Sequence, residues 1–230
     1  MTEKSAKSTS RARRAPAARA TTPRGSLTPR RILDAVATTV ANSGVDAVTM
    51  RAIAAELKVD PMALYRHFQD KDALLAAFVD DVFADIGPPQ RPGIDGAKEL
   101  ARQYFHVLIA HPGLVNITLE HSINSPHQLL MGERIYQGML DAGYDTETAV
   151  MVFSGLLRFV LGSALMYPQR TDPNNLAEWN RVRGLFRDLD PEQFPALRKV
   201  NEHVPKMGQE EVFERWLDWI FDHAGPSSPR

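Results

Sequence analysis

Between positions 49 and 71 the chain gathers a set of hydrogen-bond donors: the hydroxyl of Thr49, the guanidinium groups of Arg51 and Arg66, the phenol of Tyr65, the imidazole of His67 and the ammonium of Lys71. Such donors suit phosphate oxygens, and an arginine can also pair with a guanine edge. Met62 and Ala63 lie among them, an apolar pair suited to thymine methyl groups. These groups fit recognition of a nucleic-acid duplex, not bond cleavage. The seven histidines are scattered, and no HExxH, GxSxG, P-loop or dinucleotide-binding glycine pattern occurs. Asp80-Asp81 and Asp188/Asp190 read as exposed helix and loop acids. His111 and His121 could meet at a metal, but ordinary surface histidines are the simpler reading. No enzyme activity, metal site or cofactor is expected.

Recognition needs these groups on rigid elements. Thr49 can cap a short helix over Met50 to Leu57, because its hydroxyl accepts a backbone N–H that lacks an intrahelical partner. Ile53 and Leu57 give that helix one apolar face. A turn at Lys58-Val59 follows. Asp60 can cap a second helix, with Pro61 at its first position, where a missing N–H costs nothing. That helix is expected to bury Leu64 and Phe68 and to leave Met62, Ala63, Tyr65, Arg66 and His67 outside. Together they make a helix-turn-helix. A preceding helix from Thr28-Pro29 braces it through Ile32, Val36 and Val40, with Ala35 and Thr39 beside them, and stops at Asn42-Ser43-Gly44. A following helix runs from Asp70 to about Ile86 along Leu74, Phe78 and Val82, ended by Gly87-Pro88-Pro89.

The pattern Thr49-x-Arg51-x-Ile53-Ala54-x-x-Leu57, Val59, then Leu64-Tyr65-x-His67-Phe68-x-x-Lys71-x-x-Leu74-Leu75 resembles the DNA-binding domain of the tetracycline-repressor (TetR) family. It covers roughly residues 27–86; the remainder resembles the family in helical layout and in local echoes such as His111-Pro112-Gly113-Leu114. The resemblance implies that Arg51 can reach a guanine edge and that Thr49, Tyr65, His67 and Lys71 contact phosphates, helped by the start of the fourth helix. Arg66 suits a base or a phosphate. Packing of Tyr65 against neighbouring helices and a merely solvated Arg66 stand as alternatives. The resemblance also implies a homodimer, a near-palindromic double-stranded DNA operator, and a fourth helix acting as lever between two halves. One departure is Lys58, where the family usually has Gly, so a non-glycine with positive φ is expected at the turn.

The net charge of −1 hides an asymmetry: residues 1–24 hold seven Lys/Arg and one Glu, so the acidic excess lies entirely in the rest. Met1 to Ser26 contains no Leu, Ile, Val, Phe, Tyr or Trp and cannot bury enough apolar surface to order itself. It also lacks the apolar run of a secretory signal. Two readings stand, a solvated tail or an arm adding phosphate or minor-groove contacts. The absence of cysteine fits a reducing cytoplasm, the expected location. The expected division is a disordered basic arm (1–27), a DNA-binding domain with connecting helix (28–86), a linker (87–96), an effector-binding and dimerisation domain (97–224) and a disordered tail (225–230).

Beyond the linker the spacing predicts helices near Ala97–Ala110, Leu114–Leu119 and Pro126–Ala142. A very apolar helix from Asp145-Thr146 to about Tyr167 follows, then an amphipathic one, Leu176–Leu189, along Trp179, Val182, Phe186 and Leu189. After a proline-punctuated stretch to Gly208 comes a last helix, Gln209–His223. No period-2 alternation appears, so the class is all-α. Residues 149–167 are nearly long enough to span a bilayer, but a central Arg158 costs about 2.5–3.5 kcal/mol there, and no membrane partner is expected. A helix apolar all round needs cover on every side, and a second subunit is the expected source. Gly155, Phe159 and Gly162, with Phe213, Trp216 and Ile220 on the last helix, form the expected dimer interface. Phe105, His106, His121, Met131, Tyr136, Phe153 and Leu157 are candidates for a small-molecule effector pocket; ordinary packing is the alternative for each. Arg158 has three readings: an ion pair, an anchor for an anionic ligand, or a head turned to water. The function that follows is a repressor released from its operator by a small molecule. The rival is a DNA-binding regulator or architectural protein without an effector.

Overall fold

Four side chains start the N-terminal helices. Thr28 Oγ1 accepts from the Arg31 N–H (3.3 Å), Thr49 Oγ1 from Ala52 (3.0 Å), Asp60 Oδ1 from Met62 (2.7 Å) and Asp70 Oδ1 from Ala73 (2.8 Å). Each satisfies an otherwise orphaned donor of a first helical turn. They open α1 (Pro29–Ser43), α2 (Met50–Leu57), α3 (Pro61–Tyr65) and α4 (Lys71–Phe83). The computed structural model describes residues 27–111, 113–120, 125–171, 184–201 and 209–225, with single positions 177 and 181. The basic arm and the last five residues lie outside them.

The head closes over one core in which Ile32, Val36, Ile53, Leu64, Leu74 and Leu75 are fully buried. Lys58 adopts φ 57° and ψ 45°, and its amide donates to the carbonyls of Ala54 and Ala55 at the end of α2. The turn keeps the geometry usually given to glycine, at the steric cost a Cβ incurs there.

Four boundaries differ from expectation: α3 stops at Tyr65, short of Phe68, and the apolar helix expected to end near Tyr167 runs to Thr171. α4 ends at Phe83, three residues early; Ala84 and Asp85 form a turn in which the Ile86 amide bonds to the Phe83 carbonyl (3.0 Å), tucking Ile86 into the core. The residue before a proline is pushed out of the α region, so Gly87-Pro88-Pro89 could not prolong the helix. The next helix, α5 (Gly93–Ala110), begins four residues early and absorbs part of the expected linker. A Cβ on Gly96 would collide with the Arg91 carbonyl oxygen. That glycine marks a close approach, not flexibility.

The second half comprises α5, α6 (Leu114–Glu120), α7 (Pro126–Asp141), α8 (Thr146–Thr171), α9 (Pro195–Asn201) and α10 (Gln209–Ala224). The short α9 was not expected. Of the expected helix Leu176–Leu189, residues 184–187 are helical, while Trp179 and Val182 lie outside the described residues. α5 packs on α7 and α8, and α10 on α8 and α5. Polar contacts pin α10: Lys98 Nζ reaches Asp218 (2.8 Å) and Asp222 (3.3 Å), and Arg102 Nε reaches Glu214 (2.7 Å). The Tyr144 hydroxyl donates to the Phe221 carbonyl at 2.8 Å. The two halves meet where α4 lies on α5 and α7, with Phe83 and Tyr104 rings 5.2 Å apart.

Candidate nucleic-acid interface

On a helix, positions 62, 65 and 66 share a face at spacings of three and four. Met62 is 65% exposed and Tyr65 46%; Arg51, Arg66 and His67 are exposed around them. Ala63 corrects the expectation. It is only 8% exposed, because position 63 lies one step round the helix beside fully buried Leu64. Met62 is then the apolar side chain left on the outward face. Thr49 is exposed with its hydroxyl engaged as a cap, and Lys71 is half-buried, its Nζ 3.5 Å from the Val45 carbonyl oxygen. Acids of the head are engaged by neighbours: Arg30 bonds both Asp34 and Asp81 at 3.0 Å, and Glu56 accepts from the Thr39 hydroxyl at 2.9 Å.

Asp80, expected as an exposed helix acid, is not one. Its Oδ1 accepts from the His127 backbone N–H (3.0 Å) and lies 2.8 Å from His127 Nδ1, joining α4 to the first turn of α7. Burial alone would raise the Asp80 carboxyl, but the His127 and Ser125 donors together outweigh it and hold it below the usual carboxylate value. The partners are 47 residues apart, and no local pattern points to the pair.

The effector candidates divide. Tyr136 and Phe153 stack at 4.5 Å between α7 and α8, with Met131 buried and Leu157 half-buried. Phe105 packs inside the protomer, stacked on Phe213 at 4.1 Å and edge-on to Tyr167 at 5.7 Å. His106 is exposed, and His121 lies outside the described residues. Phe213 corrects the interface expectation: 3% exposed between Phe105 and Phe159, it belongs to the core of its own chain. The outward residues of α10 are Trp216 (49% exposed) and Trp219 (51%), with Ile220 half-buried. On α8, Gly155 is exposed and Gly162 half-buried, and a Cβ on either would meet nothing within 4 Å. Between these helices runs a groove of about 450 Å³ lined by Met151, Gly155, Trp219, Ile220 and His223. Arg158 turns to solvent and donates to the Ser154 carbonyl at 2.7 Å. Thr146–Tyr167 is long and apolar enough by composition to cross a membrane, and it is partly buried within the chain.

Two family models match this chain: "Bacterial regulatory proteins, tetR family" over residues 32–78, and "Tetracyclin repressor-like, C-terminal domain" over residues 89–222. The chain belongs to the tetR family. It is a DNA-binding transcriptional repressor and not an enzyme. The TetR fold also appears in solved relatives. ActR from Streptomyces coelicolor, in complex with actinorhodin, superposes with a TM-score of 0.77 at 25% identity, over 87% of this chain and 96% of that one. Ligand-free ActR gives 0.75 at 26% identity, over 86% and 94%. The class A tetracycline repressor of transposon 1721 from Escherichia coli is 25% identical over 85% of this chain and 89% of its own. An HTH-type transcriptional regulator from Saccharopolyspora erythraea is 26% identical over 60% of this chain, a match spanning 59% of that protein.

Proposed function

We propose that this TetR-family repressor works as a homodimer on a near-palindromic operator and is released by a small-molecule effector. The observation that carries the reading is the pairing of an exposed α3 face with an uncovered apolar face on α8 and α10. Arg51 and Arg66 read bases with Met62, while Thr49, Tyr65, His67 and Lys71 hold phosphates. Dimerisation sets two such heads about one DNA turn apart. Gly155, Phe159, Gly162, Trp216 and Ile220 mark the contact, with Trp219 added. For the effector, the Tyr136–Phe153 stack suits an aromatic ligand, in keeping with the actinorhodin complex of ActR. The basic arm supplies further phosphate contacts, and the protein acts in the cytoplasm.

Duplexes selected by the protein from a random library test the first part. A palindromic consensus bound by two chains is expected; a monomer at micromolar concentration that retains no duplex at low salt refutes it. Titrating actinorhodin into the protein–duplex complex tests the second. Release supports an aromatic effector, and retention favours the regulator without one.

A further inference from the structure

α7 begins with a complete cap of its own. The Ser125 hydroxyl accepts from the Gln128 N–H (3.3 Å) while Gln128 Oε1 accepts from the Ser125 N–H (3.2 Å), a reciprocal capping box. The Asp80 carboxylate is therefore not needed to terminate the helix. It arrives from α4 and places a negative charge at the positive end of α7. One of its oxygens meets both the backbone N–H and the ring Nδ1 of His127.

Two other junctions between head and body are apolar. Phe83 tilts against Tyr104, and a Cβ on Gly113 would come within 2.6 Å of Val40 Cγ1. Apolar contacts such as the Phe83–Tyr104 pair are non-directional, whereas a hydrogen bond weakens steeply once misaligned. Two donors on one carboxylate oxygen fix where α7 stands against α4. Further along, α7 is held a second time: a Cβ on Gly138 would meet the Gly93 carbonyl oxygen at 2.6 Å, so this turn rides directly on the start of α5. A helix held at both places cannot shift at its first turn without carrying its partner.

We infer that the Asp80–His127 pair is the strut through which α7 sets the position of α4 and, with it, the α3 reading face. Asp80 and His127 are positioning residues that touch neither duplex nor ligand. The inference rests on the proposed ligand-responsive reading, since α7 also carries Met131 and Tyr136. An occupant wedged beside that helix would act on α4 through this contact.

The test uses the full chain and a duplex selected by the wild-type protein. Asp80→Ala removes both bonds and is expected to change the dissociation constant by about three- to ten-fold; His127→Ala, which keeps the backbone N–H, should act in the same direction but less, and the double variant should match Asp80→Ala, as residues of a single coupled contact do. Gln128→Ala weakens the same helix end without touching α4 and is expected to leave duplex affinity within two-fold (roughly the scatter between independent sites). Additive effects, no effect, or an equal effect of Gln128→Ala would each overturn the strut. Hydrogen exchange on wild-type protein covers the case of variants that fold poorly. Coupling is reciprocal, so adding the duplex should alter protection of the amides at 127–130; unchanged protection there also refutes the inference. If the wild-type protein selects no duplex, the functional reading itself fails. If it binds and the variants do not differ from it, only the strut does.

Discussion

The head and the α8–α10 face solve the problem of apolar surface in opposite ways. In the head, four short helices are capped by their own side chains and enclose one core. What remains outside is mostly polar, save Met62 on the reading face. On the α8–α10 side the core is equally well packed, through Phe105, Phe213 and Phe159. Yet Met151, Leu165, Met166, Trp216 and Trp219 stay exposed beside two bare glycines. Monomeric proteins rarely expose large apolar patches, and such a patch commonly marks an interaction site. One region is complete in a single chain; the other is shaped as if a surface were still to come.

The sharpest way to break this contrast is Trp219→Glu. A charge at the centre of the uncovered groove should leave the protomer folded, convert a dimer to monomers in sedimentation, and weaken operator binding by about 100-fold, since paired heads gain that much from effective concentration. Persistence of a dimer would show that the patch serves something else. Next comes Gly138→Ala. The Gly93 backbone opposite cannot swing aside, so overpacking should cost about 1–3 kcal/mol in urea unfolding. An unchanged midpoint would mean α5 and α7 are less tightly set than they look. Within the head, Arg51→Ala should leave folding alone and cost about 1–3 kcal/mol of discrimination at one base pair per half-site. Binding to a panel of single-base variants checks this, and an intact preference removes Arg51 from base reading. Smallest is Lys58→Gly. Relieving the left-handed Cβ should raise stability by about 0.5–1 kcal/mol, part of the gain being lost to the freer unfolded chain. Thermal unfolding decides it, and a loss of stability would mean the Lys58 side chain contributes more than its backbone strain costs.

The legible parts of this protein were local ones. Thr28, Thr49, Asp60 and Asp70 announce their helices because a cap and its recipient are two or three residues apart. Lys58 was readable as strained because the family it resembles usually has glycine at that turn. Ala63 was misplaced because a five-residue helix offers too little periodicity to separate its inner from its outer arc. Phe213 was assigned outward for a related reason: on a helix aromatic on two faces, composition does not say which face meets the neighbouring Phe105. The glycines at 93 and 96 looked like linker because a glycine required by a positive φ (Gly93, 61°) or by close approach (Gly96) is the same letter as one serving flexibility.

What the linear order of residues determined, then, was the family pattern, the helices of the head and their caps, and the existence of an unusually apolar helix needing cover. Only the packed chain decided which side of that helix its own neighbours cover, which phenylalanines face inward, and that Asp80 meets His127. The reason is range. Capping and turn geometry are interactions between neighbours along the backbone, whereas burial and cross-domain hydrogen bonds depend on distances that chain order leaves open until the helices have docked.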